Sequence, residues 1–288
     1  MSYVKRVTLT ALFSFLTALF IATVPLRIAA EFSSGSLIGE MRAVTPGSSF
    51  LVALRLELQD GWHTYWRNPG DSGQPAVIAW TFPPGFRASE ILWPSPDRFP
   101  YGEFMNFGYE GEVLLPVEIS VPEHYPAGQN FTLRAEARWL VCRDICISEQ
   151  GVFEIDILCV KDDVQTDARW NESFARVRGE LPVVFPEVVG FEFDVERLSL
   201  TIPRDLLSDQ ELMDIWLYPY EWGIIDHAAE QKITVSSERG VLAVRRGELP
   251  DTQIRAFEGV LVFEERVGEQ ILKRAYSFSA LAGWEGDR

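Results

Sequence analysis

Apolar residues recur at every second position in short runs closed by glycine and proline, and this period constrains the fold more than any other feature of the 288-residue chain. Leu51, Ala53, Leu56 and Leu58 sit in one run. Others cover 113–121, 131–141 and 151–160, where Phe153, Ile155, Ile157 and Cys159 share a face opposite Glu154 and Asp156. Turn clusters at 45–48, 68–71, 83–85 and 126–128, each with glycine and proline, separate the runs. Short strands at this spacing predict an all-β fold, an antiparallel β-sandwich.

The period changes between Asp162 and Leu181. Trp170, Phe174 and Val177 stand at i, i+4 and i+7, so a short helix is expected there, closed by Pro182 and Pro186. Alternation then resumes at 198–202, 215–218, 232–236, 241–244, 259–263 and 275–280. The expected organisation is an export segment over 1–30, a β-sandwich over 31–161, a helical linker over 162–184 and a second β-rich domain over 185–288.

Export is read from Lys5 and Arg6 before an uncharged, mostly apolar run over 7–26, with Ile28, Ala29 and Ala30 offering a cleavage site before Glu31. The other reading of this run is an uncleaved anchor, since about twenty residues span a bilayer. Residues 1–30 hold three basic side chains (Lys5, Arg6, Arg27) and no acidic one, so their removal deepens a net charge that is already −16. Such acidity argues against nucleic acid and anionic lipid as partners and serves solubility.

An exported chain meets an oxidising compartment, which makes Cys142 and Cys146 the chemical question. Residues i and i+4 of a straight strand lie about 13 Å apart, whereas a disulfide wants Cα atoms about 4.4 to 6.8 Å apart. If the two bond, Arg143, Asp144 and Ile145 must form a turn. A five-residue ring gains only about 2 kcal/mol from chain entropy, so thiol-disulfide exchange explains it better than stability does, although a structural staple remains the alternative. A Cys-x3-Cys pair is half a zinc site, and only His63, His124 and His227 could complete it, so no metal is expected. Cys159 reads as a buried, inert core thiol. Arg143 would favour a thiolate at Cys142 and Asp144 would oppose it.

Other constellations are thinner. Asp71-Ser72-Gly73 lacks the setting of a hydrolase nucleophile. Trp62, Trp66, Trp80 and Trp93 suit sandwich packing better than a carbohydrate-stacking surface. Asp226 and His227 read as loop residues with structural hydrogen bonds.

The segment from Trp139 to Glu149 around both cysteines, Asp60-Gly-Trp-His-Thr-Tyr-Trp-Arg67, Trp93-Pro94, Tyr101-Gly-Glu-Phe-Met-Asn-Phe-Gly-Tyr109 and Leu115-Pro-Val117 together resemble the periplasmic N-terminal part of DsbD/ScsB-type thiol:disulfide interchange proteins. The likeness is strongest over 35–160 and extends more weakly to Trp222-Gly-Ile-Ile-Asp-His-Ala228. It implies an immunoglobulin-like sandwich in the periplasm that uses no organic cofactor. Its cysteine pair would pass electrons from a separate transmembrane carrier to thioredoxin-like or disulfide isomerase proteins, with cytochrome c biogenesis among the processes served.

By motif, Cys146 would join the partner and Cys142 would resolve the mixed disulfide. Phe104, beside Glu103, would cap the pair, with His63 and Tyr65 as aromatic neighbours. Phe104, Phe107 and Tyr109 lie in a glycine-rich loop that is not expected to bury all three, which suits a movable lid. Ser148 stands where many relatives have proline, and the sequence shows no transmembrane or thioredoxin-like part. The competing function is a binding or assembly module with a fixed Cys142–Cys146 disulfide, and a metal chaperone is a third.

Overall fold

The computed structural model describes residues 28–29, 31–250 and 254–283. Most of the expected export segment therefore lies outside the described residues. Among those described, no helix is long and apolar enough to cross a membrane.

Among the described residues, three sheets and one α-helix make up the all-β, immunoglobulin-like fold. The first sheet orders Ile28–Ala29, Ser33–Gly39, Ser49–Leu58, Glu112–Ser120 and Arg87–Ala88. The second orders Gln165–Thr166, Met41–Val44, Cys146–Cys159, Asn130–Cys142, His63–Gly70, Phe104–Glu110 and Asp97–Tyr101, with Val77–Thr81 also paired to Asn130–Cys142. These two sheets face each other across a core of Val52, Leu54, Leu56, Leu115, Leu133, Trp139 and Phe153. Pairing is antiparallel except where Cys146–Cys159 meets Met41–Val44 and, in the third sheet, where Val183–Phe193 meets Gln270–Ala282.

Strand Ser49–Leu58 is buried on both faces over much of its length, so its apolar run is almost continuous. Leu56 and Leu58 face the sandwich core, whereas Leu51 and Ala53 face outward against Phe174 and Val177 of the helix Asn171–Glu180. The expected linking helix is thus also a cover for the outer face of the first sheet.

The third sheet runs in the order Glu211–Pro219, Ala256–Val267, Gln270–Ala282, Val183–Phe193, Arg197–Pro203, Arg239–Arg245 and Lys232–Val235. It has its own core around Leu200, Leu217, Leu242, Leu261 and Phe263. Its strand Glu211–Pro219 alternates between two cores: Ile215 and Leu217 face inward, while Trp216 and Tyr218 join the core of the sandwich with Val260 and Val262. The two β units therefore share buried apolar surface and are not joined by a linker alone.

Candidate functional site

The cysteine pair closes a β-hairpin. Asn130–Cys142 and Cys146–Cys159 run antiparallel in unbroken register from Asn130 opposite Leu158 to Cys142 opposite Cys146. Arg143, Asp144 and Ile145 form the turn, in which the Arg143 N–H donates to the Ile145 carbonyl at 3.1 Å. Cys142 and Cys146 are disulfide-bonded with Cα atoms 4.2 Å apart, close to the roughly 4.5 Å of a directly opposed, non-hydrogen-bonded pair. The turn that the spacing demanded is present, and it brings the sulfurs together through cross-strand pairing.

Strand alternation decides which way the pair faces. Trp139 and Val141 point into the sandwich core, so Cys142 points out of the opposite face of the sheet. His63 lies opposite Cys142, Tyr65 opposite Gly108, Asn106 opposite Phe99 and Phe104 opposite Tyr101. Period two thereby gathers Cys142, Cys146, His63, Tyr65, Phe99 and Phe104 on one face. The two cysteines are unequally exposed: Cys142 is 2% exposed, whereas Cys146 is an exposed residue.

Tyr65 supplies the polar contact. Its hydroxyl lies 3.7 Å from Cys146 Sγ, within reach of a sulfur hydrogen bond. Burial raises the Tyr65 pKa above its usual 10, opposed by a hydrogen bond with Ser72, so the phenol keeps its proton at neutral pH. His63 meets Tyr65 edge-on, with ring centroids 5.2 Å apart, and stacks on Phe99 at 4.8 Å. Burial lowers the His63 pKa below 6.5, so its ring brings no positive charge to the sulfurs at pH 7. At the turn itself Arg143 pairs with Asp144 at 3.2 Å and lies over the Trp62 ring, 5.3 Å from its centroid.

Behind the hairpin, on the core side, Glu149 is buried and accepts the Phe32 N–H at 2.8 Å, the Trp139 indole N–H at 3.2 Å and the Ser33 hydroxyl. Phe32 in turn stacks on Trp62 at 3.9 Å. The N-terminal strand is thus fastened to the cysteine hairpin from below.

The expected cap is a second hairpin, Asp97–Tyr101 with Phe104–Glu110, closed by Gly102 and Glu103. Gly102 takes a φ of +62° and Glu103 does not take a positive one, the pattern of a two-residue II′ turn in which glycine holds the first place. Phe104 at the tip is 55% exposed. The glycine-rich loop expected here is a strand, and of the three aromatics not expected to be buried together Phe104 is exposed while Phe107 and Tyr109 are buried, because alternation turns them to the core side. There Phe107 meets Tyr218 and His227 edge-on, and the Tyr109 hydroxyl donates to the Pro94 carbonyl at 2.8 Å.

The third sheet braces this hairpin at several points. Arg98 pairs with Asp214 at 2.5 Å and lies over the Trp216 ring, and Lys273 pairs with Asp97. Asn68 donates from Nδ2 to the Pro219 carbonyl at 2.8 Å. His227, only 2% exposed, places Nδ1 2.7 Å from Asp71 Oδ1, while Asp71 Oδ2 accepts the Met105 N–H at 2.7 Å. Between hairpin tip and third sheet lies a groove of about 590 Å³ lined by Glu103, Phe104, Trp222, Asp226 and His227, among others.

The cysteines, His63 and Tyr65 carry a motif signal, Asp71 carries one only as part of Asp71-Ser72-Gly73, and Phe99 and Tyr218 carry no local signal. His227 does make a structural hydrogen bond, but with a residue 156 positions away. Trp62 and Trp66 are buried, and Trp80 and Trp93 are half-buried against the same core. Cys159 is fully buried, and burial raises its thiol pKa.

Comparison with known proteins fits this geometry. Residues 36–156 match the family described as "Thiol:disulfide interchange protein DsbD, N-terminal". The N-terminal periplasmic domain of ScsB from Proteus mirabilis superposes with a TM-score of 0.64 at 17% identity, covering 91% of this chain and 98% of that one. The BcpA major pilin subunit of Bacillus cereus (D312A form; TM-score 0.25, 8% identity, 86% of this chain and 68% of that one) and Spo0M of Bacillus subtilis (0.23, 10%, 86% and 91%) are far weaker matches and carry no argument. No curated protein matches the sequence. The hairpin that carries Cys142 and Cys146 therefore lies within residues 36–156, which match the N-terminal domain family of the thiol:disulfide interchange protein DsbD.

Proposed function

We propose that this chain is a periplasmic thiol:disulfide interchange protein. It passes reducing equivalents between a separate membrane electron carrier and thioredoxin-like or disulfide isomerase proteins through Cys142 and Cys146. The observation that carries this reading is the unequal exposure of the two residues: Cys146 is exposed at a hairpin end and Cys142 is buried.

In the reduced protein the Cys146 thiolate attacks one sulfur of a partner disulfide. The partner's other sulfur leaves as a thiolate and takes up a proton, and a mixed disulfide with Cys146 forms. Cys142, as thiolate, then attacks Cys146 Sγ. The partner's second sulfur is expelled, and the Cys142–Cys146 disulfide re-forms. Two electrons pass to the partner, and the reverse sequence reloads the pair. Tyr65 donates a hydrogen bond to Cys146 Sγ, which favours its thiolate. Neutral His63 and the Arg143–Asp144 pair contribute little net charge. Phe104, next to Glu103 on the same face, is the shielding residue.

The test uses a thioredoxin with a single active-site cysteine, activated as its mixed disulfide with thionitrobenzoate. Cys142→Ser should form a stable adduct at least about 100-fold faster than Cys146→Ser, since a buried thiol lacks access. Equal rates would overturn the assignment of roles. A reduction potential far below about −300 mV, with no adduct in either variant, would mark a structural staple instead.

A further inference from the structure

We infer that His227, on the second β unit, is a positioning residue for exchange at Cys146 and acts through Asp71 and Tyr65. The inference rests on the exchange reading above and adds to it a role for the other half of the chain.

The contacts run without a gap. His227 Nδ1 lies 2.7 Å from Asp71 Oδ1, and with a carboxylate as acceptor the ring nitrogen donates. Asp71 also accepts the Met105 N–H and returns its own N–H to the Met105 carbonyl at 3.0 Å, so the carboxylate joins the cap strand to the second unit. Ser72 follows, donating its N–H and its hydroxyl to Asn106 Oδ1 at 3.1 and 2.9 Å. Gly73 comes next with a φ of +101°, and a Cβ there would stand 2.2 Å from the Tyr65 ring. The loop is therefore wedged between cap and ring, and Tyr65 presents its hydroxyl to Cys146 Sγ at 3.7 Å.

A hydrogen bond to a thiolate is sensitive to donor position, because it weakens steeply with distance and angle. His227 fixes the far side of the wedge from within a buried setting, where Phe107 meets its ring edge-on at 5.3 Å. Loss of that anchor frees the loop, loosens the ring and takes the donor away from the sulfur. The other ionisable groups around the hairpin end, namely Arg143 and Asp144 in the turn, His63 opposite Cys142 and Glu110 opposite His63, are untouched by the change.

The experiment is a double-mutant cycle in the Cys142→Ser background, where Cys146 is the accessible thiol. Two readouts are taken: the ultraviolet thiolate titration of Cys146, and its rate with the activated thioredoxin at pH 7. Tyr65→Phe should raise the Cys146 pKa by about one unit and slow the reaction about tenfold at pH 7, the scale of one hydrogen bond to a charged group. His227→Ala should shift both in the same direction by about threefold or more. The double variant should be no worse than Tyr65→Phe alone, because both changes remove the same donor. His227→Asn, whose amide can occupy the place of Nδ1, should restore most of the loss.

Multiplying effects in the double variant, or an unmoved thiolate titration in His227→Ala, would overturn the inference. Should His227→Ala not fold, His227→Phe keeps a ring against Phe107, lacks Nδ1 and must give the same shift. An unreactive Cys146 with a titration that still follows the cycle would sink the exchange reading and leave the positioning role standing.

Discussion

Phe107 of the cap hairpin meets Tyr218 of the third sheet edge-on, with ring centroids 4.8 Å apart, and both are buried in a core shared by the two β units. Aromatic pairs in this arrangement add about 0.5–1.5 kcal/mol to the burial of their surface. Because the pair belongs to both units, its loss should be felt by both. Phe107→Ala should cost about 3–5 kcal/mol. Denaturant unfolding followed by tryptophan fluorescence and by far-ultraviolet circular dichroism should remain a single coincident transition at lower midpoint. Two separated transitions in the wild-type protein would show that the shared core does not couple the units.

His63 sets a pH limit on stability. Its pKa in the folded chain is lowered by burial, so between that value and the unfolded 6.5 the unfolded state binds more protons. Stability contributed by the neutral ring is complete above pH 6.5 and is lost as pH falls through 6.5 toward the folded pKa. Titration of the imidazole by NMR should give a midpoint below 6.5. His63→Phe should flatten the acid side of the stability profile, and an unchanged profile would count against this origin.

Glu149 is a buried acceptor that fastens the N-terminal strand beneath the cysteine hairpin. Glu149→Leu leaves the Phe32 N–H and the Ser33 hydroxyl to find other partners, while the Trp139 indole keeps its 2.9 Å bond to Ser33 Oγ, at a cost of about 2–4 kcal/mol. Hydrogen exchange should rise at residues 31–33 and in the hairpin before it rises in the third sheet. Uniform loss of protection would show that the carboxylate serves the whole fold and not this corner.

The strands, the turn over 143–145 and the helix around Phe174 were legible in the sequence because each rests on a local rule: a period of two, a limit on disulfide span, a period near 3.6. The candidate site was legible only where residues cluster in sequence. Cys142, Cys146, His63, Tyr65, Glu103 and Phe104 stand in recognisable segments, whereas Asp71 and His227 acquire meaning from each other across 156 positions. Residues 101–109 differ from their local signal for a related reason. Glycines at 102 and 108 suggest a loop, but the segment pairs as a strand, and pairing sends Phe107 and Tyr109 inward while leaving Phe104 out.

By itself the sequence determined that the chain folds as β-strands with a cysteine pair on a turn, since alternation and the reach of a five-residue ring leave few other outcomes. The tertiary structure decided which cysteine is exposed, which phenol reaches its sulfur and that the second β unit braces the hairpin around Phe104. Those outcomes depend on strand register and on packing between residues far apart in the chain, and no local pattern encodes either.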